Sequence, residues 1–129
     1  MSKDYVSLPV IPMGAPRMTR QDRWTDKLKG KGRPVVIRYF KYQDELRIGL
    51  PDYELPVRLD VTFLLPMPKS WRKRKRAEYV GSPHDQKPDI DNLIKAWLDT
   101  FSSDDKYVYS VTAEKYWAEA GSIELRVAS

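Results

Sequence analysis

Cysteine is absent from this sequence of 129 residues, which excludes disulfide frameworks and thiolate metal sites. Histidine occurs once, at His84, so a zinc centre is disfavoured as well. No stretch approaches the ~20 apolar residues of a membrane-spanning helix. The longest candidate, around Val61 to Leu65, has only the length of a strand. Met1 is followed by polar residues without the apolar h-region of a secretory signal. A reducing, cytoplasmic setting is therefore expected. Against these absences, 41% of the residues are hydrophobic, enough for a packed core, and the length fits one domain over residues 1–129.

The formal net charge is +5, but it is concentrated. Lys69, Arg72, Lys73, Arg74, Lys75 and Arg76 stand against Glu78 alone in residues 69–78, and the rest of the chain balances to zero. Such a run is either a solvated loop or a phosphate-binding surface, because clustered Lys and Arg release condensed counterions from nucleic acid. Arg17, Arg20 and Arg23 recur every three residues in a Gly/Pro-containing loop. They carry the same two readings.

Hydrophobic periodicity organises the chain. Tyr5 to Ile11 is expected as a strand stopped by Pro12, with loops following through the basic, Gly-rich Lys27–Arg33. From Pro34 to about Gly49, Val36, Tyr39, Phe40, Tyr42 and Leu46 recur at helical spacing, against the weak propensity of Val35, Val36 and Ile37. Val57, Leu59, Val61, Phe63 and Leu65 alternate in a strand between Pro56 and Pro66. After Pro88, Ile90, Leu93, Ile94, Trp97, Leu98 and Phe101 share one helical face, opposite Asp91, Asn92, Lys95 and Asp99. Tyr107–Trp117 and Ser122–Val127 read as two strands joined in a hairpin at Ala120-Gly121. The order β-α-β-α-β-β implies an α+β fold, a mixed sheet with helices packed on it.

The chemistry-bearing segment is His84-Asp-Gln-Lys-Pro-Asp-Ile-Asp-Asn-Leu-Ile-Lys. Asp89 and Asp91 lie where a helix begins, where acids commonly cap and pair with the macrodipole. Asp91 and Lys95 also have the spacing of an i,i+4 pair. A second acidic pair, Asp104-Asp105, precedes the next strand, where capping is less needed. Together these supply hard oxygen ligands of the kind Mg²⁺ accepts, and such an ion activates water at a phosphodiester. A lysine one turn into the helix suits the non-bridging oxygens or the leaving group. A lone histidine such as His84 is more often a surface or supporting residue than a reacting one. Trp71, inside the basic run, either anchors its loop or stacks on an exposed base.

These residues resemble the RusA family of Holliday junction resolvases, in particular its phage-type members. The likeness rests on Lys-Pro-Asp-Ile-Asp-Asn-Leu-Ile-Lys-Ala, on the later Asp-Asp, on Pro-Met-Gly-Ala-Pro-Arg-Met-Thr near the N-terminus, and on the basic run. It implies a RusA-like fold and a homodimer, phage- or bacterially encoded, that cuts four-way DNA junctions with Mg²⁺ or Mn²⁺ in recombination and repair. By motif position Asp89, Asp91 and Asp105 would hold the metal and Lys95 would be the catalytic lysine. Asn92 would orient, with His84 and Asp104 in support. Arg17, Arg20, Lys87 and the basic run Lys69 to Arg76 would contact DNA. A non-catalytic nucleic-acid-binding module and a nuclease for other branched DNA are the alternatives. Only Ser102-Ser103 separates Phe101 from Asp104, whereas many family members have a longer loop there. A helix from Asp91 to Phe101 rises about 15 Å, and four residues span at most about 14 Å. Either the helix ends near Leu98, or the chain geometry differs, or Asp105 serves the partner protomer. The first is preferred.

Overall fold

The computed structural model describes residues 5–17, 33–101 and 107–126. In chain order the elements are β1 (Tyr5–Leu8), α1 (Pro34–Gly49), β2 (Arg58–Pro66), α2 (Lys73–Tyr79), α3 (Ile90–Phe101), β3 (Ser110–Ala118) and β4 (Ser122–Arg126). The alternation expected around Val61 places β2 inside a four-stranded mixed sheet of order β1-β4-β2-β3. β2 pairs in parallel with β3, from Arg58↔Ser110 to Pro66↔Ala118. On its other side it pairs antiparallel with β4, and β4 pairs antiparallel with β1.

Leu59, Val61, Phe63 and Leu65 are buried on one face of β2, and Ile123 and Leu125 continue that face across β4. Helices α1 and α3 supply the other half of the core through Tyr39, Tyr42, Leu46, Leu93, Ala96 and Trp97. The α1 boundaries match the expected ones: Pro34 sits in the first turn, where its missing N–H is no loss. Arg47 then ties the two helices, its Nε donating to the Thr100 carbonyl at 3.2 Å.

Five expectations are corrected. β1 ends at Leu8 rather than Ile11. Pro9 has no N–H for the ladder, and the Val10 N–H turns back onto the Leu8 carbonyl at 2.8 Å. Val57 is 52% exposed and lies just outside β2. β3 and β4 do not form a hairpin, because β2 lies between them. A tight hairpin turn needs a residue at positive φ, and among the described residues only Gly81 has one. Glu119 to Gly121 instead carries the chain across the end of β2, packed so closely on Ile11 that a Cβ at Gly121 would lie 2.8 Å from its Cγ1. The basic run forms a short helix, α2, giving β-α-β-α-α-β-β.

Helix α3 also runs past Leu98 to Phe101. Its last turn is held by aromatic packing: Phe101 lies 4.8 Å from both Trp97 and Tyr53, the latter pair edge-on. The Trp97 indole N–H donates to the Tyr53 hydroxyl at 3.3 Å, which satisfies the polar atom of a side chain with no exposure. Truncating a buried tryptophan costs about 3–5 kcal/mol. Trp97→Ala is accordingly expected to lower the unfolding free energy from urea titration by that order, and an unchanged value would show that this cluster does not carry the helix–sheet packing.

Candidate metal and nucleic-acid site

The segment between α2 and α3 is laid along the outer edge of β3. Gly81 N–H donates to the Trp117 carbonyl at 2.9 Å, Trp117 N–H to Ser82 at 2.9 Å, and His84 N–H to Lys115 at 3.1 Å. Gly81, at φ 83°, makes the turn out of α2 that L side chains resist. Below it the Lys115 ammonium donates to two carbonyls, Gln86 at 2.7 Å and Pro88 at 2.8 Å. The chain immediately ahead of Asp89 is thus tied to the sheet by one side chain.

Asp89 sits where α3 begins, its carbonyl accepting the Leu93 N–H at 3.1 Å. Asp91 follows in the first turn, and both residues are exposed. Among the described residues neither carboxylate has a hydrogen bond or an ion pair. The side-chain capping that acids at a helix start commonly perform is not made here. Lys95 is also exposed, and its ammonium pairs with Asp99 at 3.2 Å rather than with Asp91. Asp91, Lys95 and Asp99 fall on one face of α3 at four-residue spacing.

A second stretch of chain closes on the same spot. Ala15 N–H donates to the Asn92 carbonyl at 3.2 Å. A Cβ on Gly14 would lie 3.0 Å from the Pro88 Cβ and 3.2 Å from the Asn92 Cβ. Only glycine allows so close an approach without displacement. The Pro-Met-Gly-Ala-Pro-Arg segment therefore crosses the start of α3, with exposed Arg17 three residues beyond Gly14.

The basic residues divide. Lys69, Arg72, Lys73, Arg74, Lys75 and Lys87 are exposed. Arg76 is half-buried and engaged within the fold, donating to the Pro68 carbonyl at 2.8 Å and to Glu119 at 2.7 Å. It clamps α2 to the end of β3. Arg20, Asp104 and Asp105 lie outside the described residues. Among the described residues no three acidic or histidine side chains converge on one point, so the described part offers the carboxylate pair Asp89 and Asp91. Two carboxylates with waters and substrate phosphates are an ordinary donor set for Mg²⁺.

A scan against protein-family models matches residues 9–128 to endodeoxyribonuclease RusA. The chain belongs to the RusA family. No curated protein and no solved structure matches it. RusA membership makes the chain a nuclease of the endodeoxyribonuclease class, and the match spans both the Gly14 segment and the Asp89 segment that the fold brings into contact. No helix among the described residues is long and apolar enough to cross a membrane.

Lys115 is the residue of this candidate site that periodicity alone did not single out. Its signal was there: Ala113, Lys115 and Trp117 occupy the same face of β3, and a lysine between two inward-facing residues needs polar partners. Its neighbour His84 is 6% exposed, with its ring 4.2 Å from Trp117. Burial first, and the Lys115 charge second, lower its pKa below the ordinary 6.5, while Asp85 opposes them. The folded state therefore holds fewer protons than the unfolded one just below pH 6.5, and this contribution to stability falls as pH falls from there. In Lys115→Met the His84 imidazole should titrate at higher pH by NMR, and the decline in stability should shrink. An unmoved titration would show that the ammonium does not act on the ring.

Proposed function

We propose that this chain is a metal-dependent endonuclease that resolves four-way DNA junctions as a homodimer, in recombination and repair. The observation that carries the reading is the pair of exposed, unpartnered carboxylates, Asp89 and Asp91, at the start of a helix crossed by the Gly14 segment. Carboxylates left without hydrogen bonds at a helix start, beside a lysine one turn on, suit a ligand more than a cap.

In this reading Asp89, Asp91 and Asp105 would hold Mg²⁺ or Mn²⁺; because α3 continues to Phe101, Asp105 would reach the ion through a different chain geometry or from the partner protomer rather than through an early helix end. When bound, such an ion would activate a water and offset the negative charge that builds on the phosphoryl and leaving oxygens. Lys95 faces the same side of α3 as Asp91 and offers its ammonium to the non-bridging oxygens, giving up Asp99 when a phosphate arrives. Exchange of partners is easy, since exposed ion pairs contribute little. Asn92 holds the Ala15 segment through its backbone carbonyl and so fixes the approach of Arg17. Lys115 holds the Asp89 carbonyl-rich approach loop against β3, which fixes where the first carboxylate emerges. The exposed lysines and arginines of α2, with Lys69 and Lys87, grip the phosphate backbone without reading its sequence. Two nicks placed symmetrically in a junction call for two such sites about a two-fold axis.

Asp91→Asn removes a metal charge but keeps the size of the side chain. It should abolish cleavage of a synthetic four-way junction in Mg²⁺ while leaving gel-shift affinity unchanged. Cleavage by the variant at the wild-type rate would overturn the metal assignment. Wild-type binding without cleavage under any divalent ion would favour a purely DNA-binding module, and cleavage of flaps but not junctions would favour another branched substrate. Backbone contacts predict log affinity falling with log salt by about 0.9 per neutralised phosphate. Replacing Arg72, Lys73 and Arg74 together by glutamine should reduce that slope by about 3; an unchanged slope would place the DNA elsewhere.

A further inference from the structure

The loop that leads to Asp89 also lines a feature that the cleavage reading leaves unused. Trp71, Tyr79 and Trp117 form a tilted aromatic row, with ring centroids 5.2 Å apart for Trp71–Tyr79 and 4.8 Å for Trp71–Trp117. The Lys75 ammonium lies over this row, 4.2 Å from the Trp71 centroid and 5.7 Å from that of Tyr79. A cleft of about 140 Å³ opens here, lined by Trp71, Lys75, Tyr79, Pro83, Asp85 and Gln86 among others. Its lining therefore draws on both the basic helix and the loop leading to Asp89.

We propose that this cleft is a subsite for one unpaired nucleobase of DNA, stacked on Trp71 and Tyr79, with Lys75 moving from the rings to the adjoining phosphate. The inference rests on the nucleic-acid reading above and adds to it which feature of the DNA is recognised. Three properties of the cleft select a base. Its aromatic side takes the π-face that every base has, independent of sequence. Asp85 and Gln86, both exposed, belong to the same lining and supply polar groups for the hydrogen-bonding edge of a base. Lys75 is a cation in the cleft lining, on a helix that also exposes Lys73 and Arg74, so phosphate-binding charge lies close to the stacking surface. Lys75 over the rings is the easily displaced occupant, since a cation over an exposed aromatic is held more weakly than a stacked base. A base inside a continuous duplex cannot reach Trp71 without unpairing. The subsite consequently favours DNA with a discontinuity, as at a branch point, a bulge or a single-stranded end.

The test uses the full chain with ¹⁵N-labelled indoles and two probes: a short oligothymidylate strand and a blunt-ended, GC-rich duplex of matched phosphate number. The Trp71 indole signal, assigned with Trp71→Phe, should shift with the single strand and stay in place with the duplex. Trp71→Ala should weaken single-strand affinity about ten-fold, the ~1.4 kcal/mol equivalent of partial loss of stacking, and leave duplex affinity unchanged. Trp71→Phe should retain most of the affinity. Tyr79→Ala, at a position 38% exposed, should show the same selective loss if Trp71→Ala does not fold. Equal losses on both probes would mean that the aromatic row only holds α2 in place, and the proposal would fall. It would fall too if the single strand left the Trp71 signal unmoved. Junction cleavage by the wild type is scored separately. Without cleavage but with a shifted Trp71 signal, the subsite stands and the resolvase reading fails; cleavage with an unmoved signal gives the reverse.

Discussion

The parallel pairing of β2 with β3 is the constraint on which the remaining arrangement depends. Two parallel neighbours cannot be joined by a tight turn; the chain must leave the end of one strand and return to the start of the other. Here the return occupies residues 67–109, and it contains α2, the loop to Asp89 and the whole of α3. The same nine-residue register that pairs Phe63 with Lys115 also fixes where Lys115 stands beneath that crossover. Sheet register, helix placement and carboxylate position are therefore linked, and none can slide alone. A slip of one residue would turn Lys115 to the opposite face of the sheet and release the Gln86 and Pro88 carbonyls.

Much of this frame was legible in the sequence, for a reason particular to each element. β2 showed strict alternation because one of its faces is buried and the other is not. α1 and α3 showed helical spacing because each buries a single stripe: Val36, Tyr39, Tyr42 and Leu46 in one, Leu93, Ala96, Trp97 and Thr100 in the other. α2 was illegible because it has no buried residue at all, so its helicity leaves no apolar period. The supposed β3–β4 hairpin failed differently. Strand directions are the same whether or not β2 is inserted between the pair, and local spacing contains no information about a third strand.

For the site, residue chemistry pointed to Asp89, Asp91 and Lys95, and family resemblance gave them roles. What the chain could not display is what holds them. Lys115 lies 26 residues after Asp89 and Gly14 lies 75 before it, and both act through contacts set by tertiary structure. Arg76 is the counterpart case. In the sequence it is one of six equivalent cations, yet its guanidinium is engaged by Pro68 and Glu119. Basic residues in a run are alike in charge but not in availability.

The pairing of residues 81–84 along β3 has a consequence for assembly. β3 is the last strand of the sheet on its side, and a bare last strand invites a second chain to add to it. The inward-turned groups of Gly81, Ser82 and His84 satisfy that edge at Lys115 and Trp117. Pro83, bridged to Tyr116 between them, has no N–H to offer outward. Growth of the sheet by strand addition is blunted at this end of β3. A second chain adding to the sheet would therefore meet an obstacle at the Lys115–Trp117 end of β3.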